Sequence, residues 1–256
     1  MERVPLEGRR IWLTGATAGI GLACAREFVR RGARVAASAR TESSLAALVS
    51  ELGAESVLSV PMDAGDRDAN HRAVAAIEAA WGGLDTAVWN AGTCEFIEED
   101  RFDAALVERV HRTNFLSLAY GMEAALPLLE RGNSPHLVGV SSSSAWLALP
   151  RAEAYGSSKA AMRYLLDSFR LRAEARGLAV TGVYPGFVRT PMTSRNDFPM
   201  PFLVGPEEAA RKIADDMEAR RREIHFPRRL TWIMKAAALM PMWMYQNVVP
   251  RLVKTG

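Results

Sequence analysis

The stretch Thr14-Gly15-Ala16-Thr17-Ala18-Gly19-Ile20-Gly21 decides how this chain is read. Upstream of it, Arg10-Ile11-Trp12-Leu13 is a short strand candidate, entered through the turn-like Glu7-Gly8-Arg9. Downstream, Ile20, Ala23, Cys24 and Phe28 recur at helical spacing, and Gly32 supplies a C-cap. A strand, a glycine-rich turn and a helix in that order form a cradle for phosphate. The glycines let the backbone approach a pyrophosphate, and the helix N-terminus offers free N–H donors at the positive end of its dipole. The spacing is G-x-x-x-G-x-G rather than G-x-G-x-x-G. Three glycines alone can mark a tight turn; the flanking strand and helix give these their meaning.

Working outward, strands and helices alternate with no linker between them. Strands are expected at 34–38, 56–60, 86–89, 135–140 and 178–184. Helices are expected at 43–52, 67–81, 102–129, 155–176 and 206–222. The strands are mostly uncharged, which suits a sheet covered on both faces. The expectation is an α/β fold: a doubly wound, Rossmann-like parallel sheet flanked by helices, in a single domain over residues 1–256. A chain of 256 residues can bury one core of that size.

Within the expected 155–176 helix, Tyr155 and Lys159 lie four residues apart and so share a face. A free phenol has a pKa of about 10, and a neighbouring cation favours the phenolate. The pair can act as a tunable acid and base.

Together these features resemble the short-chain dehydrogenase/reductase family over roughly residues 8 to 210. The family pattern T-G-x-x-x-G-x-G is matched by Thr14, Gly15, Gly19 and Gly21, with Thr17 and Ile20 inside it. Its N-A-G element is matched by Asn90, Ala91 and Gly92, its helix asparagine by Asn114, and its Y-x-x-x-K by Tyr155 and Lys159. Its serine, thirteen residues before the tyrosine, selects Ser142 from the run 141–144; Ser141 and Ser143 point elsewhere if that segment is extended. Its P-G element is matched by Pro185 and Gly186, followed by Val188 and Thr190. Trp89 stands where the family often has a second asparagine.

The resemblance implies a nicotinamide-dependent oxidoreductase acting on a small carbonyl or alcohol. Tyr155 would be the proton donor, Ser142 the stabiliser of the carbonyl oxygen, and Lys159 the group that lowers the tyrosine pKa and holds the ribose. Asn114 would position a water for proton relay. Asp63 would contact the adenine and Thr190 the nicotinamide amide. A non-catalytic binding protein on this fold, and an isomerase or dehydratase on a related one, are competing classes. The complete set of Asn114, Ser142, Tyr155 and Lys159 speaks against the first, and the lack of a longer substrate domain against the second.

The cofactor can be read more finely. Folds that select NAD place an acid near the end of the second strand. That position is Ala39 here, followed by Arg40, with Thr41 and Ser43 nearby. An acid would repel a 2′-phosphate, whereas a guanidinium binds one, so NADP(H) is expected.

Composition narrows the rest. A net charge of +3 implies no nucleic-acid role. Cys24 and Cys94 are too few for a disulfide scaffold, and the four histidines lack metal-ligand spacing, so no metal is expected. No secretory signal precedes the first strand, so a cytoplasmic setting is expected. The family implies a homodimer or homotetramer. Residues 191–205 form the expected substrate loop, with Met192, Phe198, Met200, Phe202 and Leu203; with Phe96, Trp146, Leu147 and Leu149 they suit a lipophilic ketone or aldehyde. Residues 224–256 read as an apolar extension carrying Trp232, Trp243 and flanking arginines. It suits either peripheral contact with a membrane surface or packing over the pocket or a neighbouring subunit.

Overall fold

In the computed structural model, which describes residues 3–98, 101–196, 198–241 and 243–247, the uncharged runs form a single sheet. Its strands are β1 (Arg10–Thr14), β2 (Arg34–Ser38), β3 (Val57–Ser59), β4 (Thr86–Trp89), β5 (His136–Val140), β6 (Ala179–Pro185) and β7 (Glu223–Phe226). All pair in parallel, in the order β3-β2-β1-β4-β5-β6-β7. β5 and β6 are buried at every position, which is why their sequences show no polar alternation.

β1 shows how the sheet separates two cores. Successive side chains leave a strand on opposite faces. Ile11 and Leu13 join one cluster with Phe28, Leu45 and Ile213, beneath α1 (Gly19–Arg30), α2 (Glu42–Leu52) and α7 (Pro206–Glu218). Trp12 joins the other with Ile77, Leu118 and Leu166, beneath α3 (Arg67–Trp81), α5 (Ser117–Leu129) and α6 (Glu153–Ala173). The expected doubly wound, single-domain α/β fold is present. Trp89 fills the space a smaller residue would leave: it meets Trp12 edge-on at 5.9 Å, and Gly121 on α5 faces its indole nitrogen so closely that no Cβ fits there.

Three elements differ from expectation. The helix expected over 102–129 is interrupted: α4 (Ala104–His111) passes through a π turn, Arg112–Leu116, before continuing as α5. The helix expected over 206–222 stops at Glu218, and residues 223–226, expected at the edge of and within the extension, form the seventh strand. β7 lies along β6, with Gly182 opposite Glu223 and Pro185 opposite Phe226. The strand is short, and only Ile224 and Phe226 are buried. It is followed by α8 (Arg228–Ala237). No helix among the described residues is long and apolar enough to cross a membrane. Residues 248–256 of the expected extension lie outside the described ones.

Candidate active site

The strand order reverses between β1 and β4, and a crevice opens at their carboxyl ends. It forms a cleft of about 610 Å³. At its floor, Gly15 and Gly19 adopt φ values of 67° and 53°, which side chains disfavour. A Cβ on Gly15 would lie 2.9 Å from the Ala91 Cα, and one on Gly19 would lie 3.1 Å from the Thr190 side chain. Gly21 does not line the cleft; it packs against the Gly15 carbonyl and lets α1 approach the turn. The Thr14 hydroxyl accepts the N–H groups of Asn90 and Ala91, both at 3.1 Å. The Asn90 amide donates to the carbonyls of Thr14 and Gly15. The N-A-G segment is thereby stitched to the glycine turn.

This donor set fits a dinucleotide. α1 follows Ala18, which has no side-chain cap to offer, and its first turn carries no acid. Thr17, Gly19 and Ile20, where α1 begins, line the cleft floor, so the free N–H groups of its first turn can receive phosphate there. Arg40, just past β2, is exposed on the cleft wall, and among the described residues it has no carboxylate partner. Asp63 also lines the cleft, its carboxylate accepting the Gly65 N–H at 2.8 Å. Pro185, Gly186, Val188 and Thr190 line the opposite wall.

α6 begins two residues before Tyr155, so its first turns carry the phenol and Lys159 into the cleft. Lys159 is buried, with Nζ 5.8 Å from the Tyr155 ring centre. A reciprocal pair of bonds holds it: Nζ donates to the Val140 carbonyl at 3.0 Å, and the Ser141 hydroxyl donates to the Lys159 carbonyl at 2.8 Å. Ser142 faces the phenol; Ser141 is buried against the Lys159 carbonyl, and Ser143 is buried at the start of a short 3-10 turn, Ser143–Ala145, so the segment is extended only as far as Ser142.

Asn114 is fully buried behind the cleft rather than on its wall. Its side chain is committed: Oδ1 accepts the Thr93 N–H at 2.8 Å, and Nδ2 donates to the Thr93 carbonyl and the Ser158 hydroxyl. Ser158 in turn donates to the Tyr155 carbonyl at 2.7 Å. Gly92 is wedged between Asn114 Oδ1 and Lys159 Nζ; a Cβ would sit 3.1 and 3.4 Å from them.

Burial is the main cause of the shifts at both Tyr155 and Lys159. Burial pushes Tyr155 up to about 12, with the Ser142 hydroxyl drawing it partly back and Cys94 nearby adding to the rise. Burial also pushes Lys159 down to about 8. Desolvation penalises both charged forms, the phenolate and the ammonium. Cys94 is itself pushed up to about 11 by burial, so it is a thiol rather than a thiolate. Ser141, Ser158 and Cys94 complete the surroundings of the pair, and the sequence reading did not assign them there. Ser158 carried a legible signal, lying three residues past Tyr155 on the same helix.

Of the apolar residues expected to line the substrate end, only Met192 lies on the cleft wall; Phe96 and Phe198, and Trp146, Leu147 and Leu149, form clusters of their own. Phe198 of the substrate loop meets Phe96 and Phe187, each at 6.0 Å. Leu147, past the serine, packs with Leu230 and Met234 of α8, alongside Trp146, Leu149 and Phe187.

The short chain dehydrogenase family signature matches residues 9–198. The chain belongs to the short-chain dehydrogenase family. It is an oxidoreductase fold built for a nicotinamide dinucleotide and a small-molecule substrate. An uncharacterized oxidoreductase of Myxococcus xanthus is 33% identical over 246 residues, covering 95% of this chain and 97% of that one. The NADP-dependent 3-hydroxy acid dehydrogenase YdfG of Salmonella typhi is 34% identical over 181 residues, covering 70% of this chain and 72% of the other. Among solved structures, the RhlG/NADP active-site complex of Pseudomonas aeruginosa superposes with a TM-score of 0.80 at 26% identity, over 87% of this chain and 96% of that one. A short-chain dehydrogenase/reductase from Burkholderia phymatum in complex with NAD shares the fold, with a TM-score of 0.83 at 20% identity over 90% and 93% of the two chains.

Proposed function

We propose that this short-chain dehydrogenase is an NADP(H)-dependent enzyme that interconverts a lipophilic ketone or aldehyde with its alcohol. The observation that carries this reading is the arrangement in one cleft of Tyr155, Ser142 and Lys159 at one end and a glycine turn and a free guanidinium at the other. Arg40, with no carboxylate partner among the described residues, supports the 2′-phosphate. The NADP in the names of YdfG and the RhlG complex points the same way.

When bound, the dinucleotide would give or take the hydride. Its pyrophosphate would rest on Gly15, Gly19 and the first turn of α1, its adenine beside Asp63, and its nicotinamide end beside Thr190. Tyr155 donates its proton to the carbonyl oxygen, and Ser142 stabilises charge there by a hydrogen bond. Lys159 holds the ribose and supplies positive charge beside the phenol. Asn114, at the π turn, braces Thr93 and Ser158 behind Tyr155 and Lys159. Met192 on the cleft wall and the phenylalanine cluster at 96, 187 and 198 favour an apolar substrate body. Tyr164 and Leu171, exposed on the outer face of α6, support a homodimer or homotetramer.

The test is NADPH consumption, read at the reduced-nicotinamide absorbance band across a carbonyl panel. Tyr155→Phe should abolish turnover while NADPH binding persists. Retained turnover would remove the tyrosine from this role, and activity confined to small polar sugars would reject the lipophilic substrate.

A further inference from the structure

α8 has two faces with different fates. Leu230, Thr231 and Met234 are buried toward the substrate side of the sheet. Trp232 and Ile233 point the other way and are 61% and 59% exposed. The pattern continues past the helix, where Leu239 is 86% and Trp243 68% exposed. Four large apolar side chains on one short segment exceed what a solvated surface carries without use.

Charge says what use. From Pro227 to Gly256 the sequence holds Arg228, Arg229, Lys235, Arg251 and Lys254 and no acid, so residues 1–226 are net negative although the chain is +3 overall. Lys235 is paired with Glu223 at 2.6 Å. Arg228 and Arg229, at the start of α8, are exposed, and among the described residues neither has a carboxylate partner. A second copy is a poor occupant. In a two-fold contact this patch would meet itself, bringing cations onto cations with no acid to answer them. An anionic lipid surface answers both features. Tryptophans settle at headgroup depth, aliphatic groups reach the acyl boundary, and arginines bind lipid phosphate.

We propose that the outer face of α8, with Leu239 and Trp243 just beyond it, docks this protein onto an anionic bilayer surface. The contact is peripheral. It is independent of which carbonyl the enzyme reduces.

The test is flotation of the full chain with vesicles of phosphatidylcholine, alone or mixed with phosphatidylserine. The protein should float with the mixed vesicles, stay behind with the neutral ones, and be released by high salt. Trp232→Ser with Trp243→Ser, and separately Arg228→Gln with Arg229→Gln, should each weaken the apparent vesicle affinity by about tenfold or more. NADPH oxidation with a water-soluble carbonyl and the thermal midpoint should stay at the parent values, which separates loss of docking from loss of fold. Three results would each overturn the proposal: no flotation of the parent, flotation unchanged by both double substitutions, or a dimer that those substitutions dissolve while vesicle binding is absent.

Discussion

The pKa values of Tyr155 and Lys159 are shifted in opposite directions by one cause, their removal from water. The phenol stays protonated far above neutrality, so a proton is always available for reduction. The lysine changes charge at about 8. Because its pKa is depressed, it is a cation below that value and neutral above it. The kcat/KM for carbonyl reduction is therefore expected to fall as pH rises through about 8, followed in a pH series with NADPH. A flat profile to pH 10 would show that the ammonium is not required. Arg40 carries a second residue-scale prediction. Arg40→Asp should weaken NADPH binding by about ten- to a hundredfold and improve NADH relative to it, since a charge-assisted bond is replaced by repulsion. Isothermal titration with both cofactors checks this. The identities of these side chains were legible because glycines, Tyr155 and Lys159 sit at fixed spacings. Their pKa values were not, because desolvation depends on Val140, Cys94 and the other walls that only the fold brings together.

At the scale of elements, the π turn at 112–116 shows where pattern reading stops. Leu106, Val110, Leu118 and Met122 keep a helical rhythm on both sides, so one extra residue in the turn leaves no mark on the sequence. Yet that turn carries Asn114 to Thr93 and Ser158. β7 escaped notice for a different reason. Its four residues are bounded by charge, with Arg220–Arg222 before and Arg228–Arg229 after, and its burial comes from its place beside β6 and against α7 and α8. The α5–β4 contact yields a prediction. Gly121→Ala should drive its methyl into the Trp89 indole and destabilise the protein by about 1–3 kcal/mol, a fall in Tm of about 2–4 °C per kcal/mol at this size. Adding Trp89→Phe should recover part of the loss, because the clashing atom is Nε1. An unchanged Tm in the single variant would show that the helix shifts freely.

For the whole molecule, the doubly wound architecture was readable because the first six strands are mostly uncharged runs that alternate with helices. The two halves of the cleft come from opposite ends of that sheet order, so a dinucleotide spanning them should tie the molecule together. A ligand that binds only the folded state at one hundred times its Kd stabilises by about 2.7 kcal/mol. NADP+ is expected to raise Tm by several degrees and NAD+ by less at equal concentration, read by differential scanning fluorimetry. Equal shifts would count against Arg40 as the discriminating group.

The seventh strand has a consequence for synthesis. β6 is buried along its whole length, and β7 is its outer neighbour. On the ribosome the first six strands emerge well before residue 226. Until then the nascent sheet ends in seven apolar or weakly polar residues with an open row of hydrogen-bonding groups, an invitation to pair with another chain. A polypeptide stopped at Arg222 should collect in the pellet after lysis, while one stopped at Asn247 should stay in the supernatant.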